Sequence, residues 1–161
     1  MLNRLADAIA RISLLVACTL TAAIFLLINV EVVCRYVFGT STLIADEYAA
    51  YGFAGMVYLG MVHAVHRDLL IRIDIPGGWK RFVTRPALKL FAALATLALN
   101  LVLIYAASLT FAASVRYQSH SIQASKTLLA WPQGLMLAGI ALLVLISAAL
   151  VVRTIRRQHT S

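Results

Sequence analysis

Residues 29–51, NVEVVCRYVFGTSTLIADEYAAY, contain the end of one long apolar run, a short polar turn and the start of another. Glu31 and Arg35 close the first run, and Asp46 and Glu47 open the second. Glu31 and Arg35 stand i, i+4, the favourable order for an ion pair on one helix face. A cation also suits a helix C-terminus, and Gly39 is a stop signal just beyond it. Acids at 46 and 47 complement the dipole and unpaired N–H groups of a helix start. The stretch predicts a corner between two antiparallel helices, with an ion pair on one arm and an acidic cap on the other.

Outward from this corner the chain is apolar. Of its 161 residues 62% are hydrophobic and 12% charged, with a mean hydropathy of +0.90. That composition excludes an ordinary soluble domain. Four runs lack Asp, Glu, Lys and Arg altogether: 12–30, 48–64, 90–115 and 127–152. A membrane-crossing helix takes ~20 residues. We therefore expect an all-α integral membrane protein, a single four-helix domain over 1–161 with helices at about 12–36, 46–65, 88–115 and 127–153. The last two exceed a hydrocarbon core of ~30 Å, so they should tilt or project from it.

The net charge of +8 is distributed unevenly. If both termini and the 65–89 connection share one side, that side holds eleven basic and three acidic residues, against three of each opposite. The positive-inside rule then places both termini in the cytoplasm. Because these charges flank the spans, a nucleic-acid surface is excluded.

The connectors carry the remaining signals. Residues 1–11 read as an amphipathic lead-in, with Leu2, Leu5, Ile9 and Ile12 on one side and Arg4, Asp7 and Arg11 on the other. Such a segment can lie in the inner headgroup layer. The 2–3 connection mixes Arg67, Arg72 and Asp74 with aliphatic residues, breaks at Pro76-Gly77-Gly78, and continues with Trp79, Lys80 and Arg81. It reads as a cytoplasmic anchor resting on membrane lipids. In helix 2, Gly52, Met56 and Gly60 recur at fourfold spacing with Gly55 nearby, a surface for close helix packing within this chain or on a partner. The 116–126 loop, with Ser119 and Ser121, is polar and neutral enough to meet a soluble protein. Together with Asn29, Tyr36, Asp46 and Glu47, these positions form the candidate partner-contact set.

Catalytic chemistry is missing. Cys18 and Cys34 sit on one helix without a CxxC or metal spacing. Leu15–Cys18 resembles a lipoprotein cleavage site, but the apolar stretch before it is too short for a signal core, so a retained helix is expected. His63 and His66 have no counterpart on a facing helix, which argues against haem and for a structural His63. No nucleophile, phosphate-loop or metal motif occurs. The four helix centres lack ionisable groups, whereas intramembrane charges ordinarily mark a solute or ion pathway. A supporting subunit fits better than a self-sufficient homo-oligomeric transporter or channel, or the anchor of a redox enzyme.

The chain resembles the small membrane subunit (DctQ type) of tripartite ATP-independent periplasmic (TRAP) transporters. The resemblance runs through Asn29-Val30 to Arg35-Tyr36, Asp46-Glu47, Ile71-Arg72-Ile73-Asp74, and Pro132 with Gly134. Ile44 and Leu70 depart from it, standing where the family often has tryptophan and histidine. The resemblance implies a multi-pass subunit of the bacterial inner membrane, without enzymatic activity or cofactor. It would brace a large multispanning transport subunit and help dock a periplasmic solute-binding protein. The whole complex would import an organic solute, often a carboxylate, with the sodium that drives it bound at the large subunit.

Overall fold

The computed structural model describes residues 2–69 and 86–159. They form four helices: α1 (Leu2–Val37), α2 (Ala45–Arg67), α3 (Pro86–Arg116) and α4 (Ala130–His159). All four are long and apolar enough to cross a membrane. At 1.5 Å per residue, α2 is about 35 Å long and α1 about 54 Å. The lead-in is thus not a separate segment, because α1 continues from Leu2 into the first span without a break. The anchor residues Arg72, Asp74, Trp79, Lys80 and Arg81 lie outside the described residues; Arg67 is exposed in the last turn of α2.

The helices stand in a row. α1 packs on α2, α2 on α4 and α4 on α3, while α1 meets α4 only along a short stretch. Among the described residues α3 touches neither α1 nor α2. Small side chains make the first contact: Ala6, Ala10, Ser13 and Ala17 are the buried face of α1, and Leu5 and Ile12 are 60% and 62% exposed on its outside. Leu5 and Ile12 therefore point away from the protein, whereas Ile9 packs partly against the core and the alanines are buried. In lipid, close van der Waals contact is what holds helices together, and small residues permit it.

Glycines set the central crossing. A Cβ on Gly52 would stand 3.0 Å from Ile24 of α1, and one on Gly55 2.6 Å from Leu135 of α4. On α4, a Cβ at Gly139 would fall 2.8 Å from Cβ of Tyr58. Gly55 faces Leu135 and Tyr58 faces Gly139, so α2 and α4 run parallel. Farther along the same crossing, Val62, Val65, Leu143 and Ile146 join Ala6 in the tightest cluster. The N-terminus of α1 and the C-terminal parts of α2 and α4 meet there, so both termini lie at one end of the row. The 38–44 and 117–129 connections lie at the other.

Two polar contacts tie α1 to α2 at the terminal end. His66 Nε2 is 2.7 Å from Asp7 Oδ1, and His63 Nδ1 is 3.2 Å from the Ala10 carbonyl. Between α3 and α4, the buried Asn100 amide donates to Ser147 Oγ at 3.2 Å. That hydroxyl in turn donates to the Leu143 carbonyl at 2.7 Å. A polar pair at this depth is tolerated because each group has a partner.

Candidate functional site

The corner between α1 and α2 closes around Glu31. α1 stops at Val37, and Gly39, at φ +64, turns the chain so that the Thr40 N–H reaches the Cys34 carbonyl at 3.1 Å. This brings the 40–42 turn back over the last turns of α1. Ser41 Oγ then donates to Glu31 Oε1 at 2.5 Å, and the Thr42 N–H donates to Oε2 at 3.0 Å. Thr42 Oγ1 donates to the same Oε2. Arg35 Nη2 lies 2.9 Å from Glu31 Oε1. The carboxylate is buried, whereas the guanidinium is more than half exposed. Arg35 is thus one of several donors, and most of what holds Glu31 is the turn. An ionised carboxylate withdrawn from water needs such a set of donors, and hydrogen bonds to a charged acceptor are the stronger kind.

Glu47 does the equivalent work for the other connection. The N-cap of α2 is Ile44, with no side-chain cap, so neither acid caps the helix backbone. Glu47 is 3% exposed and turns sideways. It accepts from Tyr51 Oη on its own helix at 2.5 Å, and from Ser125 Oγ on the α3–α4 connection at 2.5 Å. The Ser121 side chain also interacts with this carboxylate. Tyr48 Oη and Thr127 Oγ1, 3.0 Å apart, add a second tie to the same connection. The connection is itself a small hairpin: His120 and Leu128 form an antiparallel bridge, and Ser121 N–H donates to the Thr127 carbonyl at 2.9 Å. Asp46 stays exposed on the wall of a shallow depression that it shares with Ile28, Glu31, Val32, Arg35, Tyr36 and Ala45.

The structure divides the candidate contact residues. Tyr36 is 83% exposed, and Asn29 is also exposed, its amide donating to the Phe25 carbonyl of its own helix. Ser119 is half-buried, with its carbonyl accepting from the Leu129 N–H. Ser121 faces Glu47, and Gly52 and Gly55 are filled by α1 and α4, so these three make contacts inside the chain. A methyl group added at Gly60 would have nothing within 4 Å, and Met56 is half-buried.

Sequence reasoning missed Ser41, Thr42, Ser125 and Thr127. A cluster of hydroxyls in a connector ordinarily faces water, and only the fold brings these to a carboxylate. Among the described residues, no three His, Cys, Asp or Glu side chains gather as a metal ion would require.

Four long apolar helices, joined by connections that buried glutamates hold in place, suit a membrane component. The family model of the tripartite ATP-independent periplasmic transporters, DctQ component, matches residues 24–157. The chain belongs to this family. No curated protein and no solved structure matches it. As a DctQ component it is part of a transporter and not an enzyme, and a multi-pass protein of the inner membrane. The matched stretch contains Glu31, Glu47 and the 117–129 hairpin. Asp7 and Ala10, the α1 partners of His66 and His63, precede it.

Proposed function

We propose that this chain is the non-catalytic small permease subunit of a TRAP-type secondary importer. It braces the scaffold of a large multispanning subunit and helps to dock a periplasmic solute-binding protein. Its termini face the cytoplasm and its 38–44 and 117–129 connections the periplasm, the orientation favoured by the excess of basic residues at the terminal end. The complex as a whole takes up an organic solute, a carboxylate, with sodium bound at the large subunit.

One observation carries this reading: the two acids buried near the membrane boundary are already committed to the connections. Glu31 is filled by Ser41, Thr42 and Arg35, and Glu47 by Tyr51 and Ser125. The span centres are free of charge, and Asp7, His63 and His66 sit at the terminal end of the row, which supports placing transport in a partner.

Reconstitution in liposomes tests it. The small and large subunits together with the binding protein should give sodium-dependent uptake, and the small subunit alone should give none. Solute flux through the purified small subunit, or full uptake without it, would overturn the proposal.

A further inference from the structure

Each connection at the loop end turns hydroxyl side chains onto a buried carboxylate and leaves a large aliphatic side chain exposed. Ser41 and Thr42 point at Glu31, and Ser125 at Glu47. Leu43 is 68% exposed, and Ile122, at the tip of the 119–129 hairpin, is fully exposed. Leu43 also holds a left-handed backbone, at φ +58. For a leucine this conformation is costly and persists only when neighbouring contacts impose it. Here those contacts are the Thr42 bonds to Glu31 on one side and the α2 start on the other.

The two connections are not independent. Glu47 lies three residues after Ile44, the N-cap of α2, and its carboxylate is bonded to the hairpin through Ser125. The Tyr48–Thr127 contact repeats the tie one residue along. The hairpin is covalently fixed at its two ends, Arg116 and Ala130, and the Glu47 and Tyr48 side chains tie it to α2 between them.

We propose that Glu47 is a positioning residue for partner docking: by clamping the 119–129 hairpin to the start of α2, it presents Leu43 and Ile122 as one fixed surface. The inference rests on the proposed function for the identity of the partner, a soluble solute-binding protein. The clamp itself belongs to this chain alone. Ordering the loop in advance matters because a loop that must be immobilised on binding subtracts its lost entropy from the affinity. With three acidic and three basic residues around it, this end is balanced in charge, so docking would rely on ordered apolar points more than on long-range attraction.

The test uses the full-length subunit in lipid nanodiscs, with Cys18→Ala and Cys34→Ala as background and a nitroxide on Ile122→Cys. The label should be ordered in the otherwise native chain. It should become mobile with Glu47→Ala and less so with Ser125→Ala, which leaves Ser121 on the carboxylate, and the double variant should match Glu47→Ala, as expected when both act through one contact. Glu47→Gln, which keeps an acceptor of the same shape and adds donors the hydroxyls can accept, should restore order. A label equally ordered in all variants overturns the clamp.

The second readout, taken without the label, is uptake by the three-component system as the binding protein is titrated. Glu47→Ala should raise the half-saturating binding-protein concentration several-fold and leave the rate at saturation near the native value. Glu47→Gln should lie close to native. A lowered saturating rate with unchanged half-saturation would overturn the docking role, showing that Glu47 merely maintains the amount of folded complex. Native complexes indifferent to the binding protein would overturn the functional reading and the docking role with it, while the label result still decides the clamp.

Discussion

Glu47 in the first turn of α2 and Ser125 in the α3–α4 connection are 78 positions apart, and a 2.5 Å hydrogen bond joins them. It closes the loop end of the row by linking the first helical hairpin to the second. The Asp7–His66 contact links α1 to α2 at the opposite end. The interior between them is held by packing and by one buried polar pair.

Glu31 is the less forgiving member of the Glu31–Arg35 pair. Arg35→Ala removes one exposed donor and should lower the melting temperature in detergent only slightly. Glu31→Ala strips Ser41, Thr42 and Arg35 of their common acceptor and should lower it distinctly more. Exchanging the two charges, Glu31→Arg with Arg35→Glu, should rescue little, since the turn donors at 41 and 42 would then face a cation. Full rescue by the exchange would show that the ion pair outweighs the turn.

The glycines separate packing inside the chain from contact outside it. Gly139→Ala should cost about 1–3 kcal/mol, because the added methyl meets the Cβ of Tyr58, which is fixed to its backbone and cannot swing aside as a side-chain tip can. Gly60→Ala meets nothing and should be neutral or stabilise by up to about 1 kcal/mol through helix propensity. Gly60→Leu should leave the isolated subunit folded and, if this face meets the large subunit, reduce co-purification. Thermal unfolding and affinity capture together read out both effects.

Asn100 and Ser147 form the buried polar tie between α3 and α4. A double-mutant cycle with Asn100→Ala and Ser147→Ala, measured by unfolding in mixed micelles, should give a coupling of about 0.6 kcal/mol, the usual value for interhelical hydrogen bonds in a membrane. Ser147 also donates to its own helix, so Ser147→Ala alone should be tolerated. Zero coupling would mean that the pair is held together by its surroundings.

At the terminal end, His66→Ala should loosen the first turns of α1. Hydrogen exchange of the amides over residues 4–12 should quicken several-fold, with α3 and α4 unchanged. His63→Ala should act in the same direction and more weakly, because its partner is a carbonyl already bonded within α1. Equal exchange in native and variant chains would place the hold on α1 in Ala6 and Ala10 alone.

The four spans were legible because composition alone separates apolar runs from charged connectors, and the Glu31–Arg35 spacing survives into the structure as a close pair. Neighbour relations were not. Nothing in a run of alanines announces that Ala6, Ala10 and Ala17 are the packed side of α1 while Leu5 and Ile12 face out, since in lipid the larger apolar residue has no preference for the interior. Gly52 and Gly55 promised close approach without naming the helix that approaches. The hydroxyls at 41, 42 and 125 gave no signal, because a short polar side chain in a turn looks the same whether it faces water or a carboxylate. The start of α1 was obscured by Arg4, Asp7 and Arg11, charges that mark a boundary in composition but do not interrupt a helix.

The order α1–α2–α4–α3 has a consequence for biogenesis. Each sequential pair of helices, α1 with α2 and α3 with α4, is an antiparallel neighbour and can associate as soon as it has entered the bilayer. Among the described residues, the only extensive contact that must wait for both pairs is the parallel seam of α2 and α4, where Gly55 meets Leu135 and Gly139 meets Tyr58. The subunit can therefore mature by lateral docking of two preassembled halves. A substitution at Gly139 would leave both halves inserted and block only their union.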